Sequence, residues 1–162
     1  MTDIPPNVSL IDGDIFKESG VLVHQTNTFS VGRAAGLAKE VFTRFPSSNE
    51  YVEQAVRTPG TVHIFDVSGC GAPTTAVVNL YGQVHPGKPK PGSGDDAPQR
   101  VQLFATALEA LKVEVEQRKF SRILFPYTIG CGLAGGDWDT YQKMIFEFAR
   151  TVHADVVIVN NG

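Results

Sequence analysis

Cysteine is scarce in this chain: Cys70 and Cys131 are the only two among 162 residues. Two thiols so far apart, with no paired-ligand spacing and no histidine cluster, exclude a disulfide framework and a zinc site, and no metal is expected. Both are expected as reduced thiols. An excess of positive charge is missing too. Fourteen Lys and Arg stand against seventeen Asp and Glu, a net charge of −3, so extended nucleic acid is not an expected main partner. No apolar run approaches the roughly 20 residues that cross a bilayer, and residues 1–7 show no apolar segment behind a basic start. The expectation is a soluble cytoplasmic or nuclear protein, off the membrane and monomeric.

What is present is glycine, 16 residues, and proline, 10, within a chain that is 42% hydrophobic and 19% charged. That composition is globular and rich in loops, and the length suits one domain over residues 1–162. Short β-branched or apolar runs predict strands at residues 8–11, 21–26, 61–67, 75–81, 122–126 and 155–159. The two middle runs flank a Gly-Cys-Gly-Ala-Pro segment, which predicts an antiparallel reversal. Helical spacing predicts helices over 34–45, 97–118 and 137–152, the second with Leu103, Ala107, Leu111 and Val115 on its buried face. Residues 82–99 hold four glycines and four prolines and predict a long surface loop running into the second helix. Strands alternating with helices in the C-terminal half predict an α/β fold, a three-layer α/β/α sandwich around a mixed, mostly parallel sheet.

In such sheets ligands collect beyond the carboxyl ends of strands, where loops meet helix N-termini. Three segments qualify: Gly13-Asp14-Ile15, His24-Gln-Thr-Asn27 with Gly32-Arg-Ala-Ala-Gly36, and Gly130-Cys-Gly-Leu-Ala-Gly-Gly-Asp-Trp138. Small residues before a helix let main-chain N–H groups approach an anion. No Lys-Ser or Lys-Thr follows the glycines, and neither loop is G-x-G-x-x-G at a first βα turn, which argues against a P-loop and an ordinary dinucleotide fold. Two separate cradles facing one cleft suit a diphosphate.

The same segments, with Val78-Asn79-Leu80 and above all I-G-x-G-L-A-G-G-D-W from Ile129 to Trp138, resemble a macrodomain over nearly the whole chain. The resemblance is to the branch of ADP-ribose 1″-phosphate phosphatases and related enzymes that remove ADP-ribose. It implies a hydrolase of ADP-ribose derivatives; a non-catalytic ADP-ribose reader and an antitoxin-like remover of ADP-ribose from DNA are the alternatives. No cofactor is implied, ADP-ribose being the ligand itself.

By that resemblance Asp14 accepts from the adenine amino group beside the Ile15 main chain. Asn27 and the loop carrying Gly32, Arg33, Ala35 and Gly36 hold the distal ribose and one phosphate. Ile129, Gly130, Cys131, Gly132, Leu133, Ala134 and Gly135 wrap the other phosphate, and Asn160 touches the nucleoside. Asp137 sits near the reacting centre as a base, His24 acts in proton transfer, and Asn79 holds the substrate. Asp95 or Asp96 supplies a second carboxylate. The nucleophilic lysine of some relatives is missing, since that place reads Gly82-Gln-Val-His85, while Lys88 and Lys90 are expected in solvent. Several of these residues also have a bland reading: a turn cap for Asp14, a core imidazole for His24, a helix cap for Asp137, a bystander thiol for Cys131 and core packing for Trp138, the last two being the favoured ones.

Overall fold

A computed structural model describes residues 3–161; the ends of the expected domain, Met1, Thr2 and Gly162, lie outside the described residues. Six strands form one sheet: β1 (Val8–Asp12), β2 (Gly20–Asn27), β3 (Val62–Asp66), β4 (Thr74–Gln83), β5 (Arg122–Pro126) and β6 (Asp155–Asn160). Their order is β1-β6-β5-β2-β4-β3, parallel except for β3, which runs antiparallel along β4 at one edge. The sandwich and the antiparallel pair are as expected.

Alternation along the central strands explains why the sheet is covered on both faces. Val21, Val23, Val78, Leu80, Ile123, Phe125, Val156 and Ile158 bury against α2 (Ala97–Arg118) and α3 (Trp138–Arg150) with Phe104, Leu111, Tyr141 and Ile145. Leu22, Val77, Leu124 and Val157 point the other way, onto α1 (Gly36–Arg44) and two short 3₁₀ turns, through Phe16, Val41, Phe42 and Phe45. Both strand faces are apolar because both are covered.

Two expectations are corrected. Leu103 is only half-buried, and the buried face of α2 runs through Arg100, Phe104, Ala107, Leu108, Leu111 and Val115. The long surface loop is shorter and tighter than expected: β4 continues to Gln83, α2 starts at Ala97, and Asp95 between them is 1% exposed. Hydrogen bonds described below explain that burial.

The sheet also dictates where a crevice opens. β2 and β5 are parallel neighbours, yet β2 leads to α1 on one face while β5 leads to α3 on the other. The chain leaves the two strand ends in opposite directions, and a gap between them is the geometric result.

Candidate functional site

A cavity of about 760 Å³ occupies that gap, within the roughly 300–1,000 Å³ common for small-molecule sites. Its walls are the segment after β2, the start of α1, the segment after β5, and Gln83, Pro86 and Gly87 at and beyond the end of β4.

Asn27, the last residue of β2, shapes the first wall. Its Oδ1 accepts from the N–H of Phe29 at 3.0 Å and of Ser30 at 2.7 Å, and its Nδ2 donates to the Tyr51 hydroxyl at 3.0 Å. The Tyr51 carbonyl accepts from Gly32 N at 2.8 Å, so one tyrosine holds both ends of the turn. Burial pushes the Tyr51 phenol up, against the smaller lowering effects of its bond to Asn27 and of the Arg57 guanidinium. The chain then enters α1 at Ala35, an N-cap whose side chain makes no capping bond. Uncapped first-turn N–H groups and the positive end of the helix dipole therefore border the cavity, where Gly36, Leu37 and Ala38 line it. Among the described residues, the N–H groups of Val31, Arg33, Ala34 and Ala35 find no acceptor within the chain.

The second wall is a tight turn built on glycine. Gly135 N donates to Gly132 O at 3.2 Å, leaving Leu133 and Ala134 at the tip, and the N–H groups of Gly132, Leu133 and Ala134 likewise have no internal acceptor among the described residues. Gly130 is required for two reasons: its φ is +77°, and a Cβ there would stand 2.6 Å from the Tyr141 ring. Nothing lies within 4 Å of where a Cβ on Gly132 would be, leaving room at the cavity surface.

The structure thus brings Asn27, Arg33, Ala35, Gly36, Ile129, Gly130, Cys131, Gly132, Leu133 and Ala134 together around one space, with His24 in its wall. Gly32 and Gly135 do not line it; their N–H groups close the two turns internally. Asp14, Ile15 and Asn160 gather instead at the ends of β1 and β6. Asp14 caps a 3₁₀ turn by accepting from Phe16 N at 2.9 Å, Ile15 N donates to Asn161 Oδ1 at 3.3 Å, and Gly13 N donates to Asn160 O at 2.9 Å.

The structure gives each of the three catalytic candidates partners within the protein. Asp137 is exposed, does not line the cavity, and caps α3 by accepting from Thr140 N at 3.2 Å and Thr140 Oγ1 at 2.7 Å. In this structure it fills the helix-cap role, and its charge is felt at Cys131 in the cavity lining. Asn79 is fully buried: Nδ2 donates to Ser48 O at 2.8 Å and to Glu50 Oε1 at 3.0 Å, and Oδ1 lies 2.7 Å from His24 Nε2. Its amide has no surface left for a substrate. Because Asn79 Nδ2 is spent as a donor, its Oδ1 must accept, and His24 Nε2 carries the proton. Burial holds the His24 imidazole down at about 4, only partly offset by that bond; at neutral pH it is uncharged.

Neither loop aspartate lines the cavity. Asp96 caps α2 through a box with Gln99, each side chain bonding the other's main-chain N–H. Asp95 accepts from Val84 N and His85 N, both at 2.9 Å, and from Arg100 Nη2 at 2.7 Å. Burial alone would raise its carboxyl; the guanidinium and the two N–H groups outweigh that and hold it low. The Cys131 thiol is pushed up to about 11 by burial and, secondarily, by the Asp137 carboxylate, which fits a bystander. Trp138 packs on the core and meets Tyr127 edge to face at 5.2 Å.

Residues that the sequence motifs did not single out also line the cavity. Gln25 Nε2 donates to Gln83 Oε1 at 2.6 Å, while Gln25 Oε1 is buried without a partner. Phe29, Val31, Tyr127 and Leu133 form an exposed apolar rim. Gln25 sits inside the quoted His24–Asn27 motif, so its position was the available signal; Gln83 and Tyr51 had none. Among the described residues, Arg33 is the one guanidinium in the lining, which holds no lysine and no carboxylate.

No family model and no curated protein sequence matches the chain. Solved structures do. The macrodomain of Mycobacterium tuberculosis DarG superposes with a TM-score of 0.74 at 19% identity, covering 96% of this chain and 98% of that one. Thermosipho africanus DarTG in complex with ADP-ribose gives 0.76 at 18% identity, covering 98% of this chain and 42% of that one. The Oceanobacillus iheyensis macrodomain, as a point mutant, gives 0.69 at 20% identity over 96% of this chain and 84% of that one. With strand order, layers and crevice in place, these superpositions establish that the chain has the macrodomain fold.

Proposed function

We propose that the cavity binds ADP-ribose, free or as the terminal group of a modified macromolecule, with the diphosphate between the α1 N-terminus and the turn at Leu133 and Ala134. The observation that carries this reading is the pair of facing walls whose main-chain N–H groups have no acceptor in the protein, one of them an uncapped helix start. Anions satisfy such groups without any need for a cationic surface. The adenosine end extends along the strand ends, past β6, toward Asp14 and Asn160; Asp14 Oδ2 accepts no bond within the described residues. The fold shared with a DarTG captured with ADP-ribose is consistent with this ligand.

Binding without turnover is the reading the lining favours, because its titratable groups are a neutral His24, a high-lying Cys131 thiol, two tyrosines and Arg33. Hydrolysis of ADP-ribose 1″-phosphate, or release of ADP-ribose from protein or DNA, is the second reading. Gln25 supports it: its side chain lines the cavity beside Gly130, and its Oε1 has no partner within the described residues, so a turn of the amide toward the cavity gives a water an acceptor.

Calorimetry with ADP-ribose, ADP, AMP and adenosine tests the first reading; affinity for ADP-ribose well above that for AMP and adenosine is expected, and equal or undetectable binding of all four rejects it. Incubation with ADP-ribose 1″-phosphate and with ADP-ribosylated protein and DNA separates the two readings. Turnover by wild type that falls in Gln25→Ala supports the hydrolase.

A further inference from the structure

Arg100 is a fully buried cation on a helix otherwise packed through apolar side chains, and its partners explain why it is there. Nη1 donates to Gly87 O at 2.6 Å and Ala134 O at 3.0 Å; Nη2 donates to His85 O at 3.0 Å and Asp95 Oδ2 at 2.7 Å. Asp95 in turn accepts from Val84 N and His85 N. One guanidinium therefore joins the segment after β4 to the tip of the turn after β5, two stretches that share no strand pairing.

We infer that Arg100, with Asp95, is the positioning residue of this site: it locks the Leu133–Ala134 turn and the 84–87 segment into one rigid wall. A buried ion pair adds little net stability once desolvation is counted, and apolar replacement of the pair is often tolerated. What it supplies is direction, because a planar fork fixes several carbonyls at once and a lysine cannot. With Ala134 O held inward by Arg100 and the turn closed by Gly135 N to Gly132 O, the unpaired N–H groups at the tip stay assembled before any ligand arrives. That diphosphate role rests on the binding proposed above; the coupling of the two segments does not.

The test has a ligand-free arm and a ligand arm. Native-state amide exchange of the wild-type protein is expected to show Val84, His85 and Gly135 opening together, with one opening rate and one denaturant dependence. In Arg100→Met with Asp95→Asn, which removes both charges, exchange at all three is expected to rise at least tenfold while amides in β2 and β4 are unchanged. ADP-ribose affinity of that variant is expected to fall at least tenfold, with no recovery in Arg100→Lys. Independent opening of Gly135 and His85 in the wild-type protein overturns the inference, whether or not the variant folds. Failure of wild type to bind ADP-ribose rejects the proposed function and leaves the exchange result to decide the coupling.

Discussion

His24 and Asn79 face each other across β2 and β4, Nε2 to Oδ1 at 2.7 Å, at paired positions in the sheet register. The relationship continues outward. Asn79 donates to Glu50, Tyr81 OH also donates to Glu50, and the second Glu50 oxygen meets His63 Nδ1 at 2.7 Å. Two residues assigned to chemistry by resemblance are the inner end of a structural polar chain.

That chain sets a pH dependence. Folded His24 holds its imidazole near 4 while the unfolded chain titrates at 6.5, so below 6.5 the unfolded state takes up a proton the folded state refuses. His24 therefore costs stability as pH falls from 6.5 to 4, by roughly 3 kcal/mol in total. Urea unfolding at pH 7, 5.5 and 4.5 checks this: wild type is expected to lose more than His24→Gln over the interval. A ¹⁵N spectrum is expected to show the Nε2–H form with no titration between pH 6 and 8.

Ala35→Asp separates helix stability from anion binding. An aspartate at this uncapped N-cap supplies the missing acceptor and stabilises the fold by about 1 kcal/mol. The same carboxylate occupies the N–H groups meant for phosphate and repels it. The melting temperature is expected to rise and ADP-ribose affinity to drop more than tenfold in one variant, measured by calorimetry.

Asp137→Ala removes a cap and nothing from the cavity lining. Stability is expected to fall by about 1 kcal/mol, with ADP-ribose affinity unchanged within twofold. A large affinity loss at unchanged stability would place the carboxylate in the site after all.

The thiols are expected to differ in reactivity. Cys70 is exposed on the β3–β4 turn, whereas Cys131 is half-buried with its thiol near 11. At pH 7.5 iodoacetamide is expected to label Cys70 first, and saturating ADP-ribose to slow Cys131 further. Mass spectrometry of timed samples reads both.

Most of the frame was legible because apolar periodicity is a local property. The bounds of α2 and β5 match their spacing signals, and both glycine loops were visible as glycine between a strand and a helix. The site's supports were not legible. Arg100 looks like any helix-surface arginine until Phe104, Ala107 and Leu111 place it on the buried face, and its partner carbonyls are up to 34 residues away. Glu50 and Tyr51 come from a segment without periodicity, so nothing local announced that one would anchor Asn79 and the other Asn27. The loop aspartates were indistinguishable in sequence because a cap and a buried ion pair use the same side chain. Asp137 carried two readings in the sequence, a helix cap and a site residue given by the motif, and the cap is the one that has hydrogen bonds in the structure.

The most direct measurement is an amide NMR titration of the wild-type protein with ADP-ribose. Saturable shifts are expected, centred on Ala34, Ala35 and Gly36 together with Gly132, Leu133 and Ala134, the two walls responding with a single dissociation constant. Shifts confined to one wall, or an unchanged spectrum at millimolar ligand, would contradict a diphosphate held between them.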